Sequence, residues 1–210
     1  MDRRTLAVLG LALLVALSGC SLLTADTLEF SASQATVSDA AAADAGYEEV
    51  AVERQTANRT FSAAGQEREV RLTNWVATYQ RDLGVGTSPA PGTVAVFATP
   101  EVSIAGQTLN PIGSMSDREL LETVLGQYGD VSDVSEQGTR TVRVLGSEST
   151  VVAFDATVRY QGQPVDVTIH LTRVNHGGDY VVAVGVHPAL MSADQAGVDT
   201  MFEGIEHAAE

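Results

Sequence analysis

Three runs of alternating apolar and polar residues in the last third of the chain constrain its fold most. The runs span residues 152–160, 165–171 and 180–186, and each has an apolar side chain at nearly every second position. Period-two alternation is typical of β-strands that bury one face, and the segments between the runs contain glycine and are short enough to be hairpin turns. The pattern predicts an antiparallel meander with one face on a core.

A second hairpin is predicted in the first half of the chain. Residues 47–61 and 69–81 have strand-like patterns on either side of a turn, and residues 141–146 add a strand before the meander. Apolar side chains occur on both faces of the strand over 69–81, so both faces of this strand require cover. The glycine- and proline-rich stretch over 82–92 is predicted to be a long loop.

Helix start signals occur at three places. A serine precedes a helix predicted over 39–45, and Ser116 with Glu119 matches a capping box ahead of an apolar stripe. Ser192 or Asp194 is predicted to cap a last helix. The fold class is therefore predicted to be α+β, with an antiparallel sheet, made of the hairpin and the C-terminal meander, covered by two to three helices.

The first twenty residues have the organisation of a lipoprotein signal peptide. Arg3 and Arg4 form a charged beginning, the apolar run over 6–17 is too short to span a bilayer, and Leu-Ser-Gly precedes Cys20. Cys20 is the only cysteine, which excludes an intramolecular disulfide, and it stands where a lipobox has its acyl acceptor. The predicted organisation is a signal peptide over 1–19, a lipidated tether over 20–26 and a single α+β domain over 27–210.

Two alternatives remain open for this segment. An uncleaved anchor would hold the same domain at the membrane by a different bond. The arginine pair is compatible with twin-arginine export of a folded protein and with the general secretory route.

The charge composition favours a salt-rich setting outside the cell. All 12 basic residues are arginine, against 27 aspartates and glutamates, and the net charge is -15. Such a surface repels itself in dilute buffer, whereas molar salt shortens the Debye length to about 3 Å and removes the repulsion. A halophilic source is expected, and nucleic acid is excluded as a partner. The 44% hydrophobic content argues against a disordered chain.

The polar face of the meander carries the candidate metal ligands. If residues 161–164 close the first hairpin, Asp155 lies opposite His170, and the next hairpin brings His187 near Asp166. Two histidines and two aspartates on neighbouring strands can bind a divalent metal or support acid–base chemistry. Their spacing matches no compact ligand motif, and a solvent-exposed sheet surface with ion pairs is the commoner arrangement.

Other motifs are few. The sequence contains no nucleophile elbow, no His-Glu-x-x-His helix, no glycine-rich phosphate loop and no calcium loop. Asn58-Arg59-Thr60 matches a glycosylation sequon, so Asn58 is a candidate for modification. No cofactor is predicted, and neither His176 nor His207 is assigned a role.

Short segments along nearly the whole chain carry a family resemblance. They are the lipobox at Cys20, Phe30-Ser31-Ala32, Gly46-Tyr47-Glu48-Glu49-Val50, Thr73-Asn74-Trp75-Val76, Leu109-Asn110-Pro111 and Val182-Ala183-Val184-Gly185-Val186. In these segments the chain resembles a family of uncharacterised haloarchaeal lipoproteins, a domain of unknown function. The resemblance implies an exported, membrane-anchored protein of a salt-loving archaeon and brings no activity. The order of elements is also similar to PsbP-like and Mog1-like proteins, mostly assembly or binding factors, at the level of fold alone.

The sequence therefore predicts a lipoprotein on the outer face of the cell membrane that acts as a non-catalytic binding or envelope-assembly module. Its expected partners are the membrane, through the lipid on Cys20, and an envelope protein. The alternative is a metal-dependent hydrolase or metal-binding protein that uses the outer sheet face, through Asp155, Asp166, His170 and His187. A two-lobed solute receptor is disfavoured by the length of the chain.

Overall fold

The structure of the protein is a computed structural model that describes residues 27–63, 66–82, 92–104, 107–126, 131–191 and 194–208. The predicted signal peptide, the tether with Cys20, nearly all of the predicted loop and Ser192 lie outside the described residues. No helix in the described part of the chain is long and apolar enough to cross a bilayer.

Twelve strands and three helices follow one another along the described residues. They are β1 (Thr27–Ser31), β2 (Ala35–Val37), α1 (Asp39–Ala45), β3 (Glu48–Ala63), β4 (Gln66–Arg81), β5 (Gly92–Pro100), β6 (Ser103–Ile104), β7 (Gln107–Thr108), a 3-10 turn (Pro111–Gly113), α2 (Asp117–Leu125), β8 (Val131–Val144), β9 (Ser147–Tyr160), β10 (Gln163–His176), β11 (Asp179–Pro188), α3 (Gln195–Glu203) and β12 (Ile205–His207).

Eight strands form one sheet in the order β1-β4-β5-β11-β10-β9-β8, with β3 paired to β4. Leu72 of β4 pairs with Phe30 of β1 and with Ala57 of β3, so β3 occupies one edge of β4 while β1 and β5 share the other. The α+β class is confirmed, but the prediction of a purely antiparallel sheet is wrong because β1 pairs with β4 in parallel. The intervening α1 and β3 supply the long connection that parallel pairing requires.

Local capping signals begin two of the helices as predicted. Ser38 accepts a hydrogen bond from the Ala41 amide before α1, and Ser116 and Glu119 form a reciprocal capping box at α2. Asp194 is the N-cap residue of the last helix, as predicted, but its side chain makes no capping hydrogen bond and forms an ion pair with Arg81 instead.

Helices cover both faces of the sheet. α1 and α3 pack on the face that contains Val96 and Ala183, and α2 packs on the opposite face against residues that include Phe154 and Ile169. The strand over 69–81 buries side chains on both faces, as its pattern predicts. The prediction that only one face of the meander lies on a core is wrong, because α3 also buries its more polar face.

A glycine sets the close approach of α3 to the sheet. A Cβ on Gly185 of β11 would lie 2.5 Å from Val198 Cγ1 of α3, which is closer than atoms can pack. Gly185→Ala is expected to lower the free energy of unfolding by about 1–3 kcal/mol through overpacking. The control is Gly138→Ala, since a Cβ on that exposed strand residue meets nothing within 4 Å. Chemical denaturation compares the two variants, and equal effects would contradict the packing account.

Candidate functional site

The turn of the first hairpin of the meander is two residues shorter than predicted. Gln161 and Gly162 have φ angles of 49° and 82°, so they alone form the turn, and Tyr160 pairs with Gln163. The next pair, Arg159 with Pro164, falls where antiparallel strands exchange no hydrogen bond, so the missing N–H of proline breaks no bond to β9.

The corrected register leaves neither candidate aspartate opposite a histidine. Asp155 lies opposite Thr168 and Asp166 opposite Thr157, so the predicted pairing of Asp155 with His170 is wrong. Each aspartate accepts a hydrogen bond from the threonine facing it, at 3.3 Å for Asp155 and 3.0 Å for Asp166. Asp166 is exposed, whereas His170 and His187 are both buried.

His170 and His187 are brought together, but in the core rather than on an outer surface. His170 is 1% exposed and His187 2%, and their Nε2 atoms are 3.0 Å apart beneath α3. Their burial contradicts the predicted solvent-exposed position of these residues. In the described part of the chain, no group of three or more His, Cys, Asp or Glu side chains has an arrangement suited to a metal ion.

The two buried histidines form a hydrogen-bond chain with one direction. Arg140 Nη1, which can only donate, lies 2.9 Å from His170 Nδ1, and His187 Nδ1 lies 3.0 Å from the Pro188 carbonyl, which can only accept. His170 must therefore accept through Nδ1 and donate from Nε2 to His187 Nε2. Both rings are neutral in this arrangement, because a second proton on either ring would place two donors face to face.

Electrostatics in the core favour the same neutral state. Burial lowers the pKa of His170 to about 3, with further contributions from the positive charge of Arg140 and from His187. Burial also lowers the pKa of His187, although the Pro188 hydrogen bond acts in the opposite direction. Arg140 is itself held by Asp199 of α3, which its Nε contacts at 2.9 Å. These groups join α3 to the sheet.

The other two histidines of the chain form a second pair, which sequence reasoning missed. His176 Nδ1 lies 3.0 Å from His207 Nδ1, and His207 Nε2 lies 3.0 Å from Asp179 Oδ2. Asp179 also accepts a hydrogen bond of 2.8 Å from the Ser33 amide. His176 and His207 are 31 residues apart in sequence, so no local pattern predicts their contact.

The candidate glycosylation residue lies on an accessible strand. Asn58 is exposed in β3, the strand that pairs only with β4 among the described elements. The geometry leaves the amide reachable from solvent, and modification of Asn58 stays a prediction.

Among the described residues, one short helix, α2, packs on the opposite face of the sheet. The buried side chains Leu120, Leu121 and Leu125 fix α2 to the sheet. The segment before α2 is held by Arg173, whose Nη1 donates to the Met115 carbonyl at 2.9 Å and also to the Ile112 carbonyl. A helix of nine residues cannot cover a sheet face this wide.

Two apolar cavities flank α2 as a result, and we call them together the α2 cleft. One has a volume of about 340 Å³ and is lined from the sheet by β3, β4, β5 and β11. The other has a volume of about 370 Å³ and is lined from the sheet by β4, β5 and the four strands of β8 to β11. Ala95, Val124 and Val184 line both cavities, so Val124 of α2 stands where they meet. Most of the other lining residues are aliphatic or aromatic, among them Leu72, Val76, Phe97, Ile112, Val131, Val158, Val167, Ile169 and Val186.

The first cavity also contains a polar group without a partner. Asn74 lines this cavity, and its Oδ1 is buried with no hydrogen-bond partner among the described residues. Buried polar atoms in native proteins are usually paired, so this acceptor is an exception. Arg59 and Gln55 of β3 line the same cavity. A mostly apolar cavity of this size with a few polar groups has the properties of a small-molecule site.

Comparison with known families gives a match over most of the chain. Residues 34–206 match the DUF6517 model, a domain of unknown function. The chain belongs to the DUF6517 family. The matched range includes His170, His176 and His187 and the described residues that line the α2 cleft, and it ends one residue before His207. No curated protein matches the sequence.

One solved structure that the chain matches is the solution structure of cyanobacterial PsbP, CyanoP, from Synechocystis sp. PCC 6803. The two chains are 12% identical, the match covers 85% of this chain and 94% of that one, and the TM-score is 0.35. A likeness this distant identifies no ligand, partner or activity for the DUF6517 protein.

Proposed function

We propose that this DUF6517 protein is a lipid-anchored, non-catalytic binding module that holds the aliphatic part of a small ligand in the α2 cleft. The observation that carries the proposal is the pair of apolar cavities on either side of α2. Burying an aliphatic chain there stabilises the complex by about 25 cal/mol for each Å² of apolar surface removed from water. The exposed polar side chains of Gln55 and Arg59, which line the first cavity, can contact a hydroxyl or amide at the end of such a ligand.

Titration with a fluorescently labelled long-chain alcohol in molar salt tests the proposal. We expect saturable binding at a small whole-number stoichiometry. Fluorescence that rises in proportion to the probe concentration, without saturation, would contradict a defined site.

The setting of the module follows from its N-terminal segment. Signal cleavage before Cys20 and lipidation of its thiol would place the domain at the outer face of a cell membrane, joined by a tether of a few residues. The lysine-free, acidic composition supports a halophilic, archaeal source. An envelope protein is the proposed macromolecular partner.

Affinity capture at high salt tests the anchor and the partner together. The native chain and a Cys20→Ser variant are purified from the same cells, and the co-purifying proteins are identified by mass spectrometry. We expect a stoichiometric envelope protein with the native chain only, and the variant in the medium. Equal membrane association of both forms would contradict lipidation at Cys20.

A further inference from the structure

The two histidine pairs of this chain differ in what surrounds them. The His170–His187 pair is closed at one end by the Arg140 guanidinium and at the other by a carbonyl, and both rings are in the core. A cation placed between these rings would meet the positive charge of Arg140 at close range. The His176–His207 pair has no guanidinium contact among the described hydrogen bonds, and it is backed by the carboxylate of Asp179.

The ring orientations of the second pair suit metal coordination. Because His207 directs its Nε2 to Asp179 Oδ2, Nε2 carries the proton and the lone pair of Nδ1 faces His176. The two Nδ1 atoms are 3.0 Å apart, and two imidazole nitrogens bound to one tetrahedral Zn²⁺ lie about 3.3 Å apart, so a small movement of the rings admits the ion. A carboxylate that holds the far nitrogen of a ligating histidine is the usual second partner at protein metal sites.

Access and charge also favour a cation here. The His207 side chain is fully buried, whereas His176 is half-buried at the end of β10, beside the exposed turn residues Gly177 and Gly178. Water can therefore complete the coordination of an ion that the two nitrogens hold. The net charge of -15 attracts cations to the chain as a whole.

We propose that His176 and His207 form a site for a borderline divalent cation such as Zn²⁺ or Cu²⁺, with Asp179 as the positioning residue. Zn²⁺ and Cu²⁺ bind well to imidazole nitrogen, whereas Mg²⁺ and Ca²⁺ prefer oxygen ligands. On binding, the ion takes the place of the proton between the two Nδ1 atoms, and the His176 proton moves to its own Nε2, so no proton is released overall. The ion joins β12, at the end of the described chain, to the turn between β10 and β11.

Zinc titration of the full chain in molar KCl tests the site, because the salt suppresses loose binding to surface carboxylates. We expect one equivalent of Zn²⁺ to bind, the free-ion affinity to fall at least about tenfold in His176→Gln, and Asp179→Asn to weaken binding about 10–100-fold. Nitrogen-15 spectra of the histidines are the second readout. Zn²⁺ should shift the Nδ1 signals of His176 and His207 and leave those of His170 and His187 in place, which makes the buried pair an internal control.

Two results would overturn the proposal. The first is equal zinc binding by the native chain and His176→Gln, which would assign the ion to surface carboxylates. The second is the absence of any saturable zinc binding by a native chain whose spectra show the folded state, which would leave the pair as a hydrogen-bonded clasp for the C-terminal strand. Either result leaves the proposed function of the α2 cleft untouched, because the cleft lies on the opposite face of the sheet.

Discussion

Lowering the pH from 7 to 5 in constant molar salt is expected to destabilise the protein through His170 and His187. The pKa of His170 is lowered to about 3 in the folded state, against about 6.5 in an unfolded chain. Below pH 6.5 the unfolded chain therefore binds a proton at His170 that the folded chain does not, so His170 lowers the free energy of unfolding by about 1.4 kcal/mol for each pH unit. The lowered pKa of His187 acts in the same direction. The expected loss from His170 alone is about 2 kcal/mol at pH 5.

The charged groups around His170 and His187 also affect the pKa values of the two rings. The positive charges of Arg140 and Arg81 disfavour protonation of the two histidines. The negative charge of Asp199 is paired with Arg140. Urea denaturation between pH 7 and 5 measures the slope. His170→Gln/His187→Gln should reduce the slope whatever its own stability, and His176→Gln serves as the control that keeps the buried pair. The same slope in the double variant as in the native chain would contradict the account. If the double variant does not fold, nitrogen-15 titration of His170 in the native chain measures its protonation directly.

Filling the α2 cleft should abolish binding of an aliphatic ligand without disrupting the fold. Val124 is half-buried on α2 and lines both cavities, so Val124→Trp places a large side chain in the space that the ligand needs. We expect the affinity for the labelled long-chain alcohol to fall at least about tenfold, which is about 1.4 kcal/mol or more of binding free energy. Thermal unfolding should change little, because the new side chain enters a cavity rather than a packed core.

The same helix supplies a matched control for this prediction. Glu122 is exposed, pairs with Arg118 and lies two residues from Val124, on the opposite side of the helix. Glu122→Trp adds the same aromatic surface facing solvent, so it should leave the affinity unchanged. Equal affinities for the native chain and Val124→Trp would show that the probe binds elsewhere.

The local features of this fold were predictable from sequence. Periodicity and turn chemistry predicted the strands β9, β10 and β11, the hairpin of β3 and β4, and the capping box at Ser116. Each of these features depends on residues that are close together in sequence. β8 begins at Val131, earlier than predicted. The sequence pattern did not reveal its first part because bulges at Ser132/Ser135 and Glu136/Gly138 interrupt the alternation.

The features that were not predictable depend on distant contacts. The parallel pairing of β1 with β4 is set by a connection that includes a helix and a strand. The burial of the more polar face of the meander depends on where α3 packs, so the buried position of His170 could not be predicted from the strand pattern. The contact of His176 with His207 joins strands far apart in sequence, and the α2 cleft arises from the mismatch between a short helix and a wide sheet.

Native mass spectrometry of the full chain, extracted from its own cell membranes without detergent, tests the central proposal most directly. The account predicts that the native protein carries a bound aliphatic molecule, beyond any lipid on Cys20, and that Val124→Trp from the same cells carries none. A native protein whose mass equals that of the processed chain alone, identical in ligand content to Val124→Trp, would contradict a ligand in the α2 cleft.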